Sequence, residues 1–324
     1  MGEAHKDRTE SAYRPAIPGG KRPLSTFPPG VTLECPSPEA AMNHIRRLAA
    51  ALLFALASPG TAPAADGPLF DAHVHYRPAM MASISPAEAG RSLAEAGIDG
   101  ALILTSEATT FRRLDAASAA RLVPFLDISR RLGRKTDWMH VEGVAERARE
   151  WLEADEGVDW AGIGELHIRA GDRFAPAFEA LLHLAVERHL VVMIHGDPAV
   201  IDHAYTVAPE VRILWAHAGT YPYPPLLDDY LRRYPNLAAD LSMRNPTLTD
   251  ADGRLKDIWF ELLTRHADRF LVGTDTFSAN RWEKYGRIVT TTRTWLADLP
   301  PEVAEALARE NAAQRFPRPP PTRP

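Results

Sequence analysis

The chain has one cysteine, Cys35, no apolar run longer than the ten residues of "LAAALLFALA", and no excess of positive charge. A lone thiol excludes an internal disulfide. A ten-residue apolar run is too short to span a bilayer as a helix, which takes about 20 residues. Lys and Arg number 37 against 42 Asp and Glu, a formal net charge of −5, so composition offers no footprint for nucleic acid. A glycine-rich phosphate loop is also missing after the first strand candidate, which argues against a doubly wound dinucleotide-binding sheet.

The front of the chain differs from the rest. Residues 1–41 are interrupted by Pro15, Pro18, Pro23, Pro28, Pro29, Pro36 and Pro38, and read as disordered and as lying outside the native protein. Met42 opens a segment with Arg46 and Arg47, the apolar run, and "SPGTAPAA" with Ala62 and Ala64 in an A-x-A arrangement. That is the layout of a secretory signal peptide over residues 42–65, and it predicts a periplasmic or secreted protein. Cys35 precedes it, so a mature chain would have no thiolate ligand and no cysteine nucleophile. Residues 66–316 read as one domain and 317–324 as a disordered proline-rich tail.

From Gly67 onward short apolar runs alternate with amphipathic stretches, the mark of a parallel sheet with helical crossovers. The strand candidates are "PLFDAHVH", "GALILTS", "LVPFLDIS", "WAGIGELHI", "LVVMIHGD", "VRILWAHAG", "NLAADLSM" and "RFLVGTDTF". In "FAPAFEALLHLAVERHL" the apolar residues Phe178, Leu181, Leu182, Ala185 and Val186 share one helical face. Eight such units in a single domain predict an α/β fold, the (β/α)8 TIM barrel.

A parallel strand covered on both faces should be apolar throughout, so polar residues near its C-terminal end need a reason. They fall at His73 and His75 in the first strand, Glu165 and His167 in the fourth, His195 in the fifth, His217 in the sixth and Asp275 in the eighth. Strand alternation places Asp71, His73 and His75 on one face. Imidazole and carboxylate donors suit zinc and similar divalent ions, and a barrel gathers them at its C-terminal mouth.

This residue set resembles the amidohydrolase superfamily, and within it the amidohydrolase-related branch, from "FDAHVHY" to the final "ENAAQRF". The resemblance implies that His73, His75, His195, His217 and Asp275 hold metal, with Glu165 as a further ligand at the position where many members carry a carboxylated lysine. It implies Asp275 as the proton-transferring base and His217 as a group polarising the scissile oxygen. The implied cofactor is a divalent metal, zinc ahead of other ions, as one ion or two. The implied function is hydrolysis of a small-molecule C–O or C–N bond in a lactone, ester or amide. A decarboxylase or hydratase using one metal, and a phosphoester hydrolase, remain as alternatives.

His167, His203, Arg130 and Arg244 are the candidate substrate contacts, since all fall at or beyond strand ends. The expected partner is a small-molecule substrate, with no nucleic acid and no stable membrane span. Asp71 is a candidate for orienting His73. N-terminal sequencing of the exported protein is expected to return Ala65 or Asp66; intact residues 1–41 on the mature chain would overturn the signal-peptide assignment.

Overall fold

In the computed structural model, which describes residues 67–155 and 157–317, eight parallel strands pair in chain order. They are β1 (Leu69–His75), β2 (Ile98–Thr105), β3 (Arg121–Leu126), β4 (Gly162–Ile168), β5 (Val191–Gly196), β6 (Arg212–Trp215), β7 (Leu237–Asp240) and β8 (Phe270–Leu271). Backbone bonds from Ala72 N to Val272 O (2.9 Å) and from Asp275 N to His73 O (2.7 Å) bring the last strand back to the first. The result is the (β/α)8 barrel, with the strands where the apolar runs lie. The expected disordered segment 1–41 and signal segment 42–65 lie outside the described residues.

The main helices between and after the strands are α1 (Pro86–Glu95), α2 (Ala108–Ala117), α3 (Val144–Ala154), α4 (Pro176–Glu187), α5 (Pro198–Val207), α6 (Pro224–Arg233), α7 (Asp257–Arg265) and α8 (Tyr285–Leu296). Four of them, α1, α4, α5 and α6, begin on proline, which fits a first helical turn because its missing N–H has no partner there anyway. Ser85 and Glu88 close α1 with a reciprocal capping box.

Alternation along the strands divides the apolar side chains into two layers. Val74, Ile103, Ile163, Leu166, Val192, Ile194, Ile213 and Trp215 pack outward under the helices. Phe70, Ala72, Leu102, Leu104, Val123, Phe125, Val191, Met193, Leu214, Ala238 and Leu271 fill the barrel itself. Gly162 in β4 is required by this filling: a Cβ there would lie 2.5 Å from Val191 O and closer still to the Phe125 ring.

The C-terminal helical run 301–315 closes the end of the barrel where the strands begin. Asn311, buried, donates from Nδ2 to the carbonyls of Ala267 (2.6 Å) and Phe270 (2.8 Å), tying the run to β8. Phe316 then enters the interior cluster, stacked on Phe70 at 6.0 Å and edge-on to Phe125 at 5.7 Å. The spacing in "ENAAQRF" is thus that of a tether and a plug. Phe316→Ala is expected to cost about 3–5 kcal/mol of stability by leaving a cavity under the barrel; equilibrium urea unfolding would read it, and an unchanged midpoint would show that the plug is dispensable.

Candidate metal centre

At the ends of the strands the inward row turns from apolar to polar. His73 and His75 arrive on β1, Glu165 and His167 on β4, His195 on β5, His217 just after β6, Asp240 at the end of β7 with Ser242 beyond it, and Asp275 just after β8. His73, His75, Glu165, His217, Asp240, Ser242 and Asp275 are buried, whereas His167 and His195 reach the open mouth.

Two strand irregularities make this possible. Along β1, Asp71 pairs with Ala101 but Val74 pairs with Ile103, so one residue is extra between them. Such a bulge shifts the alternation by one. His73 and His75 then both face the barrel axis, and Asp71 faces the helices. The expectation of Asp71, His73 and His75 on a single face is corrected by this bulge. Asp71 accepts hydrogen bonds from His73 N (3.1 Å), Thr274 N (2.9 Å), Thr274 Oγ1 (2.6 Å) and Tyr285 OH (2.8 Å), which join β1 to the β8 end and α8. β4 carries the same device, with Ile163 opposite Val192 and Leu166 opposite Ile194. Its extra residue passes through Gly164 at φ 133°, where a Cβ would lie 2.5 Å from Met193 O, so glycine is demanded.

The donors converge closely. His73 Nε2 and His75 Nε2 are 3.3 Å apart. Asp275 Oδ1 lies 3.3 Å from His75 Nε2 and 3.6 Å from His73 Nε2, and its Oδ2 lies 3.9 Å from His217 Nε2. Glu165 touches both halves of the group. Its Oε1 is 2.8 Å from His195 Nδ1, 3.2 Å from His217 Nε2 and 3.9 Å from His73 Nε2; its Oε2 is 2.8 Å from His167 Nε2 and 3.6 Å from His75 Nε2.

Asp240 and Ser242, which the sequence reading passed over, set the tautomers of two imidazoles. Asp240 Oδ2 accepts from His73 Nδ1 at 3.1 Å. Ser242 Oγ donates to Asp240 Oδ1, so its oxygen is left to accept from His217 Nδ1 at 2.8 Å. With both Nδ1 atoms carrying protons, each ring that gives up its Nε2 proton to an arriving cation presents an Nε2 lone pair to the centre. The signal was available in "NLAADLSM": Asp240 and Ser242 share the inward face with Ala238, and a carboxylate inside a fully covered strand needs a partner.

The electrostatics are those of a site short of positive charge. Burial works against a charge on His73, but Asp240, Asp275 and Glu165 outweigh it and lift its pKa to about 10. Burial would raise the Glu165 pKa, yet hydrogen bonds from His167, His195, His217 and His75 hold it well below the ordinary value. Asp275 and Asp240 are likewise shifted upward by burial and, more strongly, downward by His73 and its neighbours. For His167 burial prevails over Glu165, and its pKa falls. A divalent cation fits this donor set: it would replace protons among three carboxylates and would be met by lone pairs already aimed inward. His73, His75 and Asp275 form one compact triad, and Glu165, His167 and His195 another.

His217 at φ 58° and Asp275 at φ 56° sit in the left-handed region, as does Met243 at φ 63°. Each such non-glycine residue costs on the order of 1–3 kcal/mol, and such strain concentrates at functional sites. The surroundings enforce it. Asp275 is held through its N–H on His73 O and through its carbonyl on Arg281 Nε at 2.6 Å. Arg244 donates to His217 O and Gly219 O, each at 2.7 Å, and so braces the β6 turn from behind.

The expected substrate contacts are placed unequally. His167 stacks on His195 at 4.2 Å and borders the mouth. Arg130 is exposed above β3. Arg244 is engaged with the β6 turn, and His203, on α5, pairs with Glu179 at 2.8 Å and packs edge-on to Phe174, away from the donor cluster. The polar groups of those two are engaged by protein, through tertiary packing that strand position does not reveal.

The family model described as amidohydrolase matches residues 70–318. No curated protein matches the chain. Among solved structures, a TatD-family hydrolase of Entamoeba histolytica superimposes with a TM-score of 0.51 at 8% identity, covering 78% of this chain and 99% of the other. A Staphylococcus aureus protein assigned as an amidohydrolase gives 0.50 at 13% identity, covering 77% and 99%. At such identities these likenesses speak for the fold. The family match spans the barrel from β1 to the plug at Phe316, and the chain therefore belongs to the amidohydrolase family and is an enzyme of amidohydrolase type.

Proposed function

We propose that the protein is a metal-dependent hydrolase that cleaves a C–O or C–N bond of a small molecule, a lactone, ester or amide. The observation that carries this reading is the place of Asp275. Its carboxylate lies within the imidazole cluster, 3.3 Å from His75 Nε2, and is also part of the open end of the barrel. From there it borders both the imidazole donors and the open mouth, where a proton can pass to and from a bound molecule.

His73, His75, Glu165, His195, His217 and Asp275 would hold the ion or ions, with zinc as the first choice. When bound, a divalent cation supplies Lewis acidity and lowers the pKa of water to about 7. Asp275, kept ionised by the histidines around it, accepts the proton of the attacking water and returns it to the leaving group. Asp240 and Ser242 hold His73 and His217 in the tautomers that present lone pairs. The further role expected of His217, polarising the scissile oxygen, would place a proton on Nε2 in place of the metal bond, so the two roles are alternatives for this ring. His167 and His195 line the side from which substrate enters.

Exhaustive chelation is expected to abolish turnover on a panel of lactones, aryl esters and anilides, and zinc to restore it. Persistent activity without metal, or carbon dioxide release without consumption of water, would replace this reading. Asp275→Asn is expected to lower kcat by about 10²–10⁴, the range for losing a general base, while zinc content measured by elemental analysis stays above half of the wild-type value. Wild-type kcat in that variant would remove Asp275 from the chemistry.

A further inference from the structure

The loop that follows β3 reads Arg130-Arg131-Leu132-Gly133-Arg134-Lys135, and the fold assigns its cations to different tasks. Arg131 lies over the Trp151 ring at 4.8 Å and pairs with Asp155 at 2.6 Å, against α3. Arg134 pairs with Asp137. Arg130 is exposed. Lys135 turns inward, and its Nζ stops 3.9 Å from Glu165 Oε2, beyond hydrogen-bond reach. Among the described residues no closer acceptor meets it.

That position is held from both sides. Arg134 N donates to Ser129 O at 2.9 Å, and Trp138 Nε1 donates to His167 O at 2.9 Å, fastening the loop to the end of β4. The Lys135 side chain, 29% exposed, thus stands over the donor cluster with donors to spare. Arg77, just after β1, adds charge on the same side. It donates from Nη2 to Phe277 O at 2.8 Å, while its buried Nε has no partner.

The other loops of the mouth add apolar side chains, beside the cationic Arg169 and Arg173. Phe174, Tyr221, Tyr223, Met243 and Phe277 are exposed on the loops that follow β4, β6, β7 and β8. Among the described residues the other large exposed apolar side chains are Ile258 and Phe260, both on α7. Concentration of exposed apolar groups around one opening marks a binding surface. Met243 is placed there by its left-handed backbone, because Ser242 and Arg244 on either side are bonded inward.

We infer that the substrate is a carboxylate joined to an apolar body, and that Lys135 is the residue that holds the carboxylate. This rests on the hydrolase reading only in placing the substrate over the same centre. Glu165, once engaged with a cation, no longer holds the ammonium, which is then left to a substrate oxygen. A monoanion suits the place better than a phosphate dianion, since the Glu165 carboxylate, 3.9 Å from the ammonium, already contributes negative charge beside it.

Titration calorimetry on the zinc-loaded protein tests this with benzoate and its neutral counterpart benzamide. The wild type is expected to bind benzoate more tightly than benzamide, and Lys135→Met to weaken benzoate by about tenfold while leaving benzamide unchanged, the scale of one charge-assisted hydrogen bond. Lys135→Arg should retain most of the preference; Lys135→Gln repeats the test if the methionine variant folds poorly. Equal benzoate affinity in wild type and Lys135→Met, or no preference in the wild type, overturns the inference. Binding is read without turnover: a protein that selects benzoate through Lys135 but hydrolyses nothing loses the hydrolase reading alone, and an active hydrolase indifferent to Lys135 loses this one alone.

Discussion

Three buried carboxylates, Glu165, Asp240 and Asp275, facing a cluster of imidazoles at one end of a closed barrel, are the interaction on which the site depends. Negative charge of that density in a low-dielectric interior must be balanced by protons or by metal. The protein alone answers with protons, as the raised pKa of His73 shows. A cation answers better, because Asp240 and Ser242 already direct the imidazole protons away from the centre. The same charge balance that makes the cluster unfavourable without a partner makes it a site.

The backbone departs from regularity where it serves this cluster. One bulge turns both histidines of β1 inward while Asp71 stays outward, and another brings Glu165 and His167 inward on β4. Left-handed residues at His217 and Asp275 aim side chains that an extended strand would direct elsewhere. The β1 bulge and the two left-handed residues are fixed by bonds outside the cluster, at Asp71, Arg244 and Arg281. The opposite end, sealed by Phe316 against Phe70 and Phe125, contains ordinary apolar packing. Stability and chemistry are therefore separated along the barrel axis.

The mouth has a direction of its own. Cationic side chains, Lys135 and Arg77, belong to the loops after β3 and β1, whereas the exposed aromatic residues belong mainly to the later loops. With the substrate inferred above, such asymmetry would orient the molecule before any bond is broken, by fixing which part of it lies over Asp275.

The sequence by itself determined the eight strands, their order and most of the polar residues at their ends, because strand identity and burial are written in local apolar patterning. The final "ENAAQRF" entered only through a family resemblance, without showing what its Asn311 and Phe316 pack against. Tertiary structure decided the rest. A bulge depends on the neighbouring strand, so no count along β1 could tell that Asp71 would leave the face shared by His73 and His75. The partners of Arg244, His203 and Lys135 lie on other elements, so three polar residues beyond strand ends became a brace, a helix-to-helix pair and an ammonium held loosely beside Glu165. Alternation is a property of one strand, but charge is balanced in three dimensions, and only the closed barrel shows which groups meet.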